Sequence, residues 1–285
     1  MSGVSESINS AELKAKYNPE GSVFRQSQQA ALDILIEFDR VCRSNNLQYW
    51  LSYGTLLGAV RHGGFIPWDD DVDVSMPAED YKKFIEIGAS QLENGYFLQT
   101  EKNEPQSGVG RGIFKIRKDN TFYINDFDVF TTDYHRGIFI DVFEAVEYPT
   151  LAKPAFRFFL NWFQKCFGFF HYNRPLTLMN IIRYFVFPVI YAALKIVFKL
   201  ICIARSKDRI FSPMERLTYG YPTLKTDMFP LSEVEFEGHK FYAPGNPDAY
   251  LKNIYGDYMK MPPKEQWRIH AKFICPDLSQ CHHNL

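Results

Sequence analysis

The spacing of apolar residues predicts a long helix near the start of the chain. Between residues 23 and 45, apolar side chains recur every three or four positions, at Ala31, Leu32, Leu35, Ile36, Phe38, Val41 and Cys42. This spacing places them on one face of an α-helix. The turn-forming sequence from Pro19 to Ser22 precedes the stripe and ends in a residue suited to cap the helix.

Shorter patterns predict strands and further helices after this point. Residues 47–52, 71–74, 96–99, 112–117 and 137–143 are apolar or alternate between apolar and polar side chains, as strands do. Residues 56–61 and the stretch that begins at Pro77 have helical character. Residues 234–242 alternate around Gly238, which predicts a β-hairpin.

Residues 154–204 differ from the rest of the chain in composition. Aromatic residues crowd the first third of this segment, and residues 181–204 are strongly apolar. A helix that spans a bilayer needs about 20 consecutive apolar residues, but Arg183, Lys195 and Lys199 interrupt the run. Basic residues mixed with apolar ones are typical of helices that lie in a membrane interface. The alternative is a helical hairpin buried inside the domain.

Four carboxylates occur within five positions, at Asp69, Asp70, Asp71 and Asp73. Asp71 and Asp73 alternate with valines, so in a strand they point to the same face. Two carboxylates held so close repel each other, and both stay ionised when a cation lies between them. Oxygen ligands of this kind suit Mg²⁺. A solvated acidic turn is the alternative, but the apolar sequence on both sides of the cluster favours a lined cleft.

Residues 49–74, YWLSYGTLLGAVRHGGFIPWDDDVDV, closely resemble the signature of the LicD family. These phosphotransferases move a phosphodiester-linked alcohol, typically phosphocholine, from a CDP-activated donor to a cell-surface glycan. The family is similar to polymerase-β-type nucleotidyltransferases, in which a small-residue turn precedes an Asp-x-Asp strand. On this resemblance, Gly54 and Thr55 form the turn, and Asp71 to Asp73 form the strand. Residues 250–270 also resemble the closing motif of the family.

The resemblance implies an α+β fold, a nucleotidyltransferase-like mixed β-sheet flanked by helices. We expect a flexible lead at residues 1–21 and a catalytic core at residues 22–150. A hydrophobic and basic helical segment at residues 151–210 is then inserted before the C-terminal part of the catalytic domain at residues 211–275. Residues 276–285 form a tail.

Asp141 is the expected third carboxylate of the site. It is the single acid of an otherwise apolar strand, a position that is costly unless the acid is paired or bound to a metal. The resemblance implies that Asp71, Asp73 and Asp141 hold Mg²⁺, with Mn²⁺ as the alternative, and that Asp141 helps to deprotonate the acceptor hydroxyl. A buried ion pair with an arginine such as Arg136 is the competing interpretation. Asp69 precedes the pair by one alternation and is a further catalytic candidate.

The expected substrate-binding residues are Gly54, Thr55, Arg61, His62, Trp68, Lys115 and Arg117. Backbone N–H groups at the start of the helix after Gly54 could face the donor phosphates. Arg61 and His62 follow on that helix, either as phosphate ligands or as surface charges. Lys115 and Arg117 share one strand face, either near the donor phosphates or in solvent. A choline ammonium group would lie against aromatic rings, for which Trp50, Tyr53 and Trp68 are candidates.

These expectations define one function and two alternatives. The favoured function is Mg²⁺-dependent transfer of a phospho-alcohol from a CDP-alcohol donor to a cell-surface glycan or glycolipid, such as lipopolysaccharide, teichoic acid or capsule. The alcohol is choline first, with ethanolamine, glycerol and ribitol open. The first alternative is a nucleotidyltransferase that attaches NMP to a sugar phosphate or protein. The second is a catalytically idle scaffold at the membrane surface.

Charge and cysteine content narrow the location and the partners. The formal net charge is −1, and the basic residues of the apolar segment lie among apolar residues, which disfavours nucleic-acid binding. Five cysteines without CxxC spacing indicate a reducing compartment and no disulfide framework. The polar start of the chain lacks the apolar core of a signal peptide. We therefore expect a cytoplasmic protein, peripheral on the inner face of the membrane.

Overall fold

The computed structural model describes residues 10–107, 109, 112–126, 128, 132–149, 178, 189, 192–193, 196, 200–201, 203–211 and 222–281. The chain divides into two compact units, one of Met1–Ala145 with Asp227–Leu285 and the other of Val146–Thr226. The predicted boundaries at residues 150 and 210 stay predictions, because most of the segment between them lies outside the described residues.

Helices with defined bounds frame the first unit. They are α1 (Ser10–Tyr17), α2 (Val23–Ser44), α3 (Tyr53–His62), α4 (Ala78–Gln91), α5 (Lys225–Met228, which starts at the end of the second unit), α6 (Pro247–Tyr255) and α7 (Leu278–Cys281). The long predicted helix is α2, and its Ser22 cap accepts a hydrogen bond from the Arg25 amide at 3.1 Å.

The central sheet of the first unit has the strand order β1-β2-β6-β4-β3. Its strands are β1 (Trp50–Leu51), β2 (Asp73–Pro77), β3 (Tyr96–Gln99), β4 (Ile113–Lys118) and β6 (Phe139–Tyr148). β2 and β6 run parallel and the other neighbours run antiparallel. The sheet is therefore mixed, and with its flanking helices it confirms the predicted α+β class.

Aromatic residues join α2 and α4 to this sheet. Phe38 of α2 is buried, with its ring 5.1 Å from Phe84 of α4 and 4.9 Å from Tyr49. Phe84 in turn stacks on Phe114 of β4. Burying aromatic side chains of this size is among the largest apolar contributions to a core. The core thus fixes the sheet, whose interior strands β2 and β6 carry Asp73 and Asp141.

A hairpin of β9 (Ser232–Phe236) and β10 (His239–Ala243) confirms the predicted turn around Gly238. Its tip residue Glu237 accepts hydrogen bonds from Arg25 at 2.6 Å and from the Phe65 amide at 3.0 Å. A Cβ atom at Gly64 would lie 2.0 Å from this carboxylate. The hairpin tip therefore closes over the glycine turn that follows α3.

Two further strands, β5 (Phe122–Asn125) and β11 (Ala271–Cys275), pair antiparallel. Cys275, at the end of β11, is disulfide-bonded, whereas Cys42 is free and buried. The described part of the chain therefore includes a disulfide-bonded cysteine, which the reducing compartment inferred from the cysteine spacing does not lead one to expect. Sequence spacing missed this bond because only the folded chain brings the two sulfur atoms together.

The second unit contains β7 (Arg209–Phe211) and β8 (Thr223–Leu224), which pair with each other, and β7 also pairs with residues Val146 to Tyr148. The described residues between 178 and 204 are helical, and the aromatic stretch at residues 156–172 lies outside the described part. In the described parts of the chain, no helix combines the length and apolar character that crossing a bilayer requires.

Candidate active site

The chain enters the site through a sharp turn before α3. Ser52 is extended and Tyr53 has a φ of 46°, so α3 begins at Tyr53. Gly54 and Thr55 lie in its first turn, not in the turn that the resemblance implies before the helix. Gly54 instead allows the Asp69 carboxylate to approach the α3 backbone closely, because a Cβ atom there would lie 2.8 Å from Oδ2 of Asp69. The Thr55 hydroxyl accepts a hydrogen bond from the Asp73 amide at 2.8 Å.

Three neighbouring strands place charged residues side by side. β2 begins at Asp73, so Asp71 and Val72 precede the strand and do not form part of it. Asp73 is the register partner of Asp141 on β6, and Asp141 is the register partner of Lys115 on β4. Nζ of Lys115 lies 2.6 Å from Oδ1 of Asp141. The third expected carboxylate is thus beside Asp73, and it is paired with a lysine where an arginine was the alternative.

The carboxylates of Asp69, Asp71 and Asp73 disfavour one another's ionisation. Burial raises the pKa of Asp73 well above its ordinary value, and the charges of Asp71 and Asp141 add to the shift. Burial also raises the pKa of Asp69 strongly, followed by the charge of Asp71, with which it shares a hydrogen bond. The pKa of Asp71 is raised by burial too, against the opposing effect of His270. Ionising all three carboxylates would therefore leave more negative charge than the neighbouring groups offset.

An all-oxygen set with excess negative charge has the chemistry that Mg²⁺ or Mn²⁺ prefers. Among the described residues, the acidic and histidine side chains whose ligand atoms lie within 4.8 Å of one another are Asp69, Asp70 and His270. The expected ligands Asp71, Asp73 and Asp141 are not gathered that closely, and the Lys115 ammonium occupies one side of Asp141. Their role in metal binding therefore stays a prediction.

Lys115 and Arg117 share one face of β4, as predicted. Nζ of Lys115 lies 3.5 Å, and the guanidinium carbon of Arg117 lies 4.8 Å, from the centre of the Phe139 ring. Arg117 is buried and donates to Gln99 and to the Gly137 carbonyl, each at 2.6 Å. Burial lowers its pKa to about 10. Lys115 reaches the carboxylates, whereas Arg117 is engaged in holding the strands together.

Arg61 and His62 are likewise held by protein groups. The Arg61 guanidinium donates to Nε2 of His62 at 2.9 Å and to the Tyr258 carbonyl at 2.9 Å. Nδ1 of His62 lies 2.8 Å from the Ser10 hydroxyl. Burial, followed by the charge of Arg61, lowers the pKa of His62 to about 4. His62 is therefore a neutral, buried residue, which does not fit the expected phosphate ligand.

The aromatic candidates pack against other rings. Trp68 is buried and stacks in parallel on Trp267 at a centroid distance of 3.6 Å. The ring of Trp50 meets Phe229 edge-on, and the ring of Tyr53 meets Phe143 edge-on. The stacked pair of Trp68 and Trp267 therefore directly precedes the acidic run, since Trp68 is the neighbour of Asp69 in the chain.

Sequence reasoning missed three partners of the acidic run. Asp70 accepts hydrogen bonds from the Tyr123 hydroxyl at 2.9 Å and from the backbone amides of His270 and Ala271 at 3.0 and 2.7 Å. Burial alone would raise the pKa of Asp70, but these hydrogen bonds and the His270 side chain outweigh it and lower the pKa. The signal in the sequence was the closing motif at Arg268 to His270, to which no role was given.

Tyr255 is a further residue near the carboxylates. It ends α6, and 42% of its surface is exposed. Its pKa is raised by burial of the hydroxyl and then by Tyr250, Asp73, Asp69 and Asp71. The hydroxyl therefore lies in the electrostatic field of the acidic cluster while part of the residue remains open to solvent.

Comparison with known proteins agrees with this geometry. Residues 46–151 match the family model described as LicD/FKTN/FKRP, nucleotidyltransferase domain. The chain is 27% identical over 272 residues to the lipopolysaccharide cholinephosphotransferase LicD of Haemophilus influenzae, which covers 86% of this chain and 95% of that protein.

Two eukaryotic relatives match over shorter stretches. Mannosyltransferase regulator 4 of Saccharomyces cerevisiae is 32% identical over 125 residues, 41% of this chain and 10% of that protein. The ribitol 5-phosphate transferase FKRP of Homo sapiens is 52% identical over 40 residues, 14% of this chain and 8% of that protein. The resemblance that residues 49–74 suggest is confirmed, because residues 46–151 match the nucleotidyltransferase domain of the LicD family.

Proposed function

We propose that this protein transfers a phospho-alcohol, phosphocholine first, from a CDP-activated donor to a cell-surface glycan or glycolipid. The observation that carries the proposal is the side-by-side placement of Asp73, Asp141 and Lys115 on three neighbouring strands. The similarity to a cholinephosphotransferase over most of the chain supports the same reaction class.

The oxygen-rich cluster fits a divalent cation. Asp71 and Asp73, with Asp141, would hold Mg²⁺, or Mn²⁺ in its place. When bound, the ion supplies positive charge that offsets the diphosphate of the donor. Asp69 shares a hydrogen bond with Asp71 and lies against Gly54. It therefore helps to orient the carboxylates that face the ion.

The protein groups then position the acceptor and accept its proton. In the proposed step, the acceptor hydroxyl oxygen forms a bond to the donor's alcohol-bearing phosphorus, and the bond from that phosphorus to the CMP oxygen breaks. The hydroxyl proton passes to a carboxylate oxygen of Asp141. Lys115, 2.6 Å from Asp141, places its positive charge where the leaving CMP develops negative charge.

The two alternatives predict different products. A nucleotidyltransferase would leave the cytidine portion on the acceptor, whereas phospho-alcohol transfer releases it as CMP. A scaffold would form neither product. The relative described as a mannosyltransferase regulator is the reason to test this second alternative. The crowded carboxylates favour an enzyme, because burying several acids together lowers stability and needs another reason, such as catalysis.

A donor screen tests the proposal. The purified protein with Mg²⁺ and a membrane extract as acceptor source is offered CDP-choline, CDP-ethanolamine, CDP-glycerol and CDP-ribitol, and CMP release is measured by mass spectrometry. We expect release from one donor, at least 100-fold less in Asp71→Asn, and unchanged release in the control Asp133→Asn, whose side chain is fully exposed. No release from any donor would contradict the proposal.

The second unit is proposed to rest on the inner face of the cytoplasmic membrane. The helical residues Val189, Ile196, Leu200 and Ile203 are between 60% and 82% exposed, with a spacing that places them on one side of a helix. Lys195, Lys199, Arg205 and Lys207 accompany them in the sequence. Apolar residues with basic neighbours match an anionic lipid surface.

Flotation with vesicles tests this placement. We expect the protein to float with phosphatidylglycerol-rich vesicles and less with neutral phosphatidylcholine vesicles. The double variant Ile196→Glu with Leu200→Glu should remain in the unbound fraction, while Val23→Glu, exposed on α2 of the first unit, should float like the parent. If the parent does not float with anionic vesicles, a membrane-surface location is contradicted.

A further inference from the structure

The side chain of Asp70 is fully enclosed, with 0% of its surface exposed. Oδ1 accepts a hydrogen bond from the His270 amide at 3.0 Å and lies 3.3 Å from Nδ1 of the same residue. Oδ2 accepts from the Tyr123 hydroxyl at 2.9 Å and from the Ala271 amide at 2.7 Å. A carboxylate offers about four lone-pair sites, and four contacts occupy them. Asp70 therefore has no oxygen left for a cation, although its ligand atoms lie within 4.8 Å of those of Asp69 and His270.

Asp70 lies between two residues of the acidic cluster, so the contacts that hold Asp70 also hold the backbone of its neighbours. Its neighbours in the chain are Asp69 and Asp71, which share a hydrogen bond and belong to the crowded cluster. The loop is held from another side by Gln28, which donates to the Asp69 carbonyl at 2.7 Å. Asp70 thus anchors the centre of the short segment that carries Asp69 and Asp71.

His270 links this anchor to the cluster itself. Its imidazole Nδ1 lies 3.3 Å from Asp70 and 3.6 Å from Oδ2 of Asp71, and 44% of its side chain is exposed. The imidazole therefore spans the buried anchor and a carboxylate of the site, at a place that solvent reaches. Residues that hold metal ligands in this manner commonly affect metal affinity about 10- to 100-fold.

We propose that Asp70 and His270 are positioning residues, which join the C-terminal strand to the acidic run and fix Asp71, with the neighbouring Asp69 that orients it, for cation binding. This inference rests on the proposed function for the identity of the reaction, but not for the existence of the cation site. Tyr123 of β5 is the third member of the arrangement. The C-terminal strand β11 is on this account a part of the active site, and not only an edge of the small β5–β11 sheet.

Titration with Mn²⁺, followed by electron paramagnetic resonance, tests the inference directly. Asp70→Asn has the same shape but replaces one acceptor oxygen by a donor, so at least one of the four contacts is lost. We expect about tenfold weaker Mn²⁺ binding in Asp70→Asn and a smaller, few-fold loss in Tyr123→Phe, with no change in the control Asp133→Asn. If Asp70→Asn does not fold, Tyr123→Phe carries the test, since it removes a single hydrogen bond.

Two further readouts separate positioning from a purely structural role. His270→Asn keeps a side-chain N–H near Nδ1, so it should bind Mn²⁺ more tightly than His270→Ala. CMP release lost in Asp70→Asn should largely return at saturating Mn²⁺, whereas release lost in Asp71→Asn should not. Unchanged Mn²⁺ affinity in both folded Asp70→Asn and Tyr123→Phe would overturn the inference, as would a parent that binds no Mn²⁺. Normal Mn²⁺ binding without CMP release from any donor would overturn only the proposed function.

Discussion

Asp73 and Asp141 face each other as register partners on two parallel strands, β2 and β6. Parallel neighbours need a long crossover between them, and here the intervening chain supplies α4, β3, β4 and β5. β4 then packs on the far side of β6 and brings Lys115 to Asp141. The order of the strands in the sheet therefore places Lys115 beside Asp141, and Asp141 beside Asp73.

Gly54 and Gly58 should differ in what their replacement disturbs. In Gly54→Ala the new methyl group meets the mobile end of Asp69 at 2.8 Å, whereas in Gly58→Ala it meets the backbone carbonyl of Gly64 at 2.5 Å. We expect Gly54→Ala to lower CMP release at least tenfold, with unfolding free energy within about 1 kcal/mol of the parent. Gly58→Ala should lose about 2 kcal/mol or more, because backbone yields less readily than a side chain. Urea unfolding and CMP release measure both, and a fully active Gly54→Ala would contradict the close approach.

Lys115→Met should separate cation binding from turnover. Removing the ammonium beside Asp141 takes away a competing positive charge, so Mn²⁺ should bind a few-fold more tightly. The same change removes charge near the leaving group, and CMP release at saturating Mn²⁺ should fall at least tenfold. Lys118→Met, on the same strand but paired with Asp33, is the control and should change neither quantity. Weaker Mn²⁺ binding in Lys115→Met would show that the ammonium does not compete with the cation.

Glu237 should contribute to stability through its contacts with Arg25 and the Phe65 amide. Its side chain is 8% exposed, and hydrogen bonds to charged groups of this kind contribute about 1.5 to 3 kcal/mol. We expect Glu237→Gln to lower the free energy of unfolding by about 2 kcal/mol. Glu235→Gln, exposed on the same hairpin, should stay within about 0.5 kcal/mol. Equal urea midpoints for the two variants would refute the role of the hairpin tip.

His62 should make stability depend on pH. Its folded-state pKa is about 4, below its ordinary value of 6.5, so between these values the unfolded chain binds a proton that the folded chain does not. The contribution of His62 to the free energy of unfolding therefore falls as the pH drops below about 6.5, by about 2 kcal/mol at pH 5. The loss levels off below about pH 4, where the folded chain binds the proton as well.

Replacing His62 should remove this component. In His62→Gln, the difference in urea unfolding free energy between about pH 7.5 and pH 5 should be about 2 kcal/mol smaller than in the parent. His239→Gln, exposed at the hairpin, should retain the full difference. If His62→Gln and the parent lose the same stability on acidification, His62 is not buried in its neutral form.

The sequence predicts the acidic centre of the site because local pattern determines it. The alternation that includes Asp73, and the lone acid of the apolar strand at Asp141, identified two residues that the sheet then placed in register, whereas Asp71 precedes the strand. Lys115 was found in the same way, since strand period fixes which side chains share a face. The α+β class followed from the recognised signature.

The remaining features depend on packing between distant parts of the chain. Arg117 and His62 have the same local pattern as surface charges, and only the surrounding elements make them buried. Asp70 is indistinguishable in sequence from its acidic neighbours until His270, 200 positions later, donates to it. The helix start at Tyr53 depends on a left-handed backbone at that residue, which its type does not indicate.

The most direct test of the central claim follows two labels in one donor. CDP-choline labelled separately in choline and in cytidine is incubated with the protein, Mg²⁺ and acceptor-containing membranes, and each label is traced. We predict choline label in the glycan or glycolipid fraction and cytidine label in free CMP, with both products absent in Asp71→Asn. Cytidine label attached to the acceptor would contradict phospho-alcohol transfer and identify a nucleotidyltransferase instead.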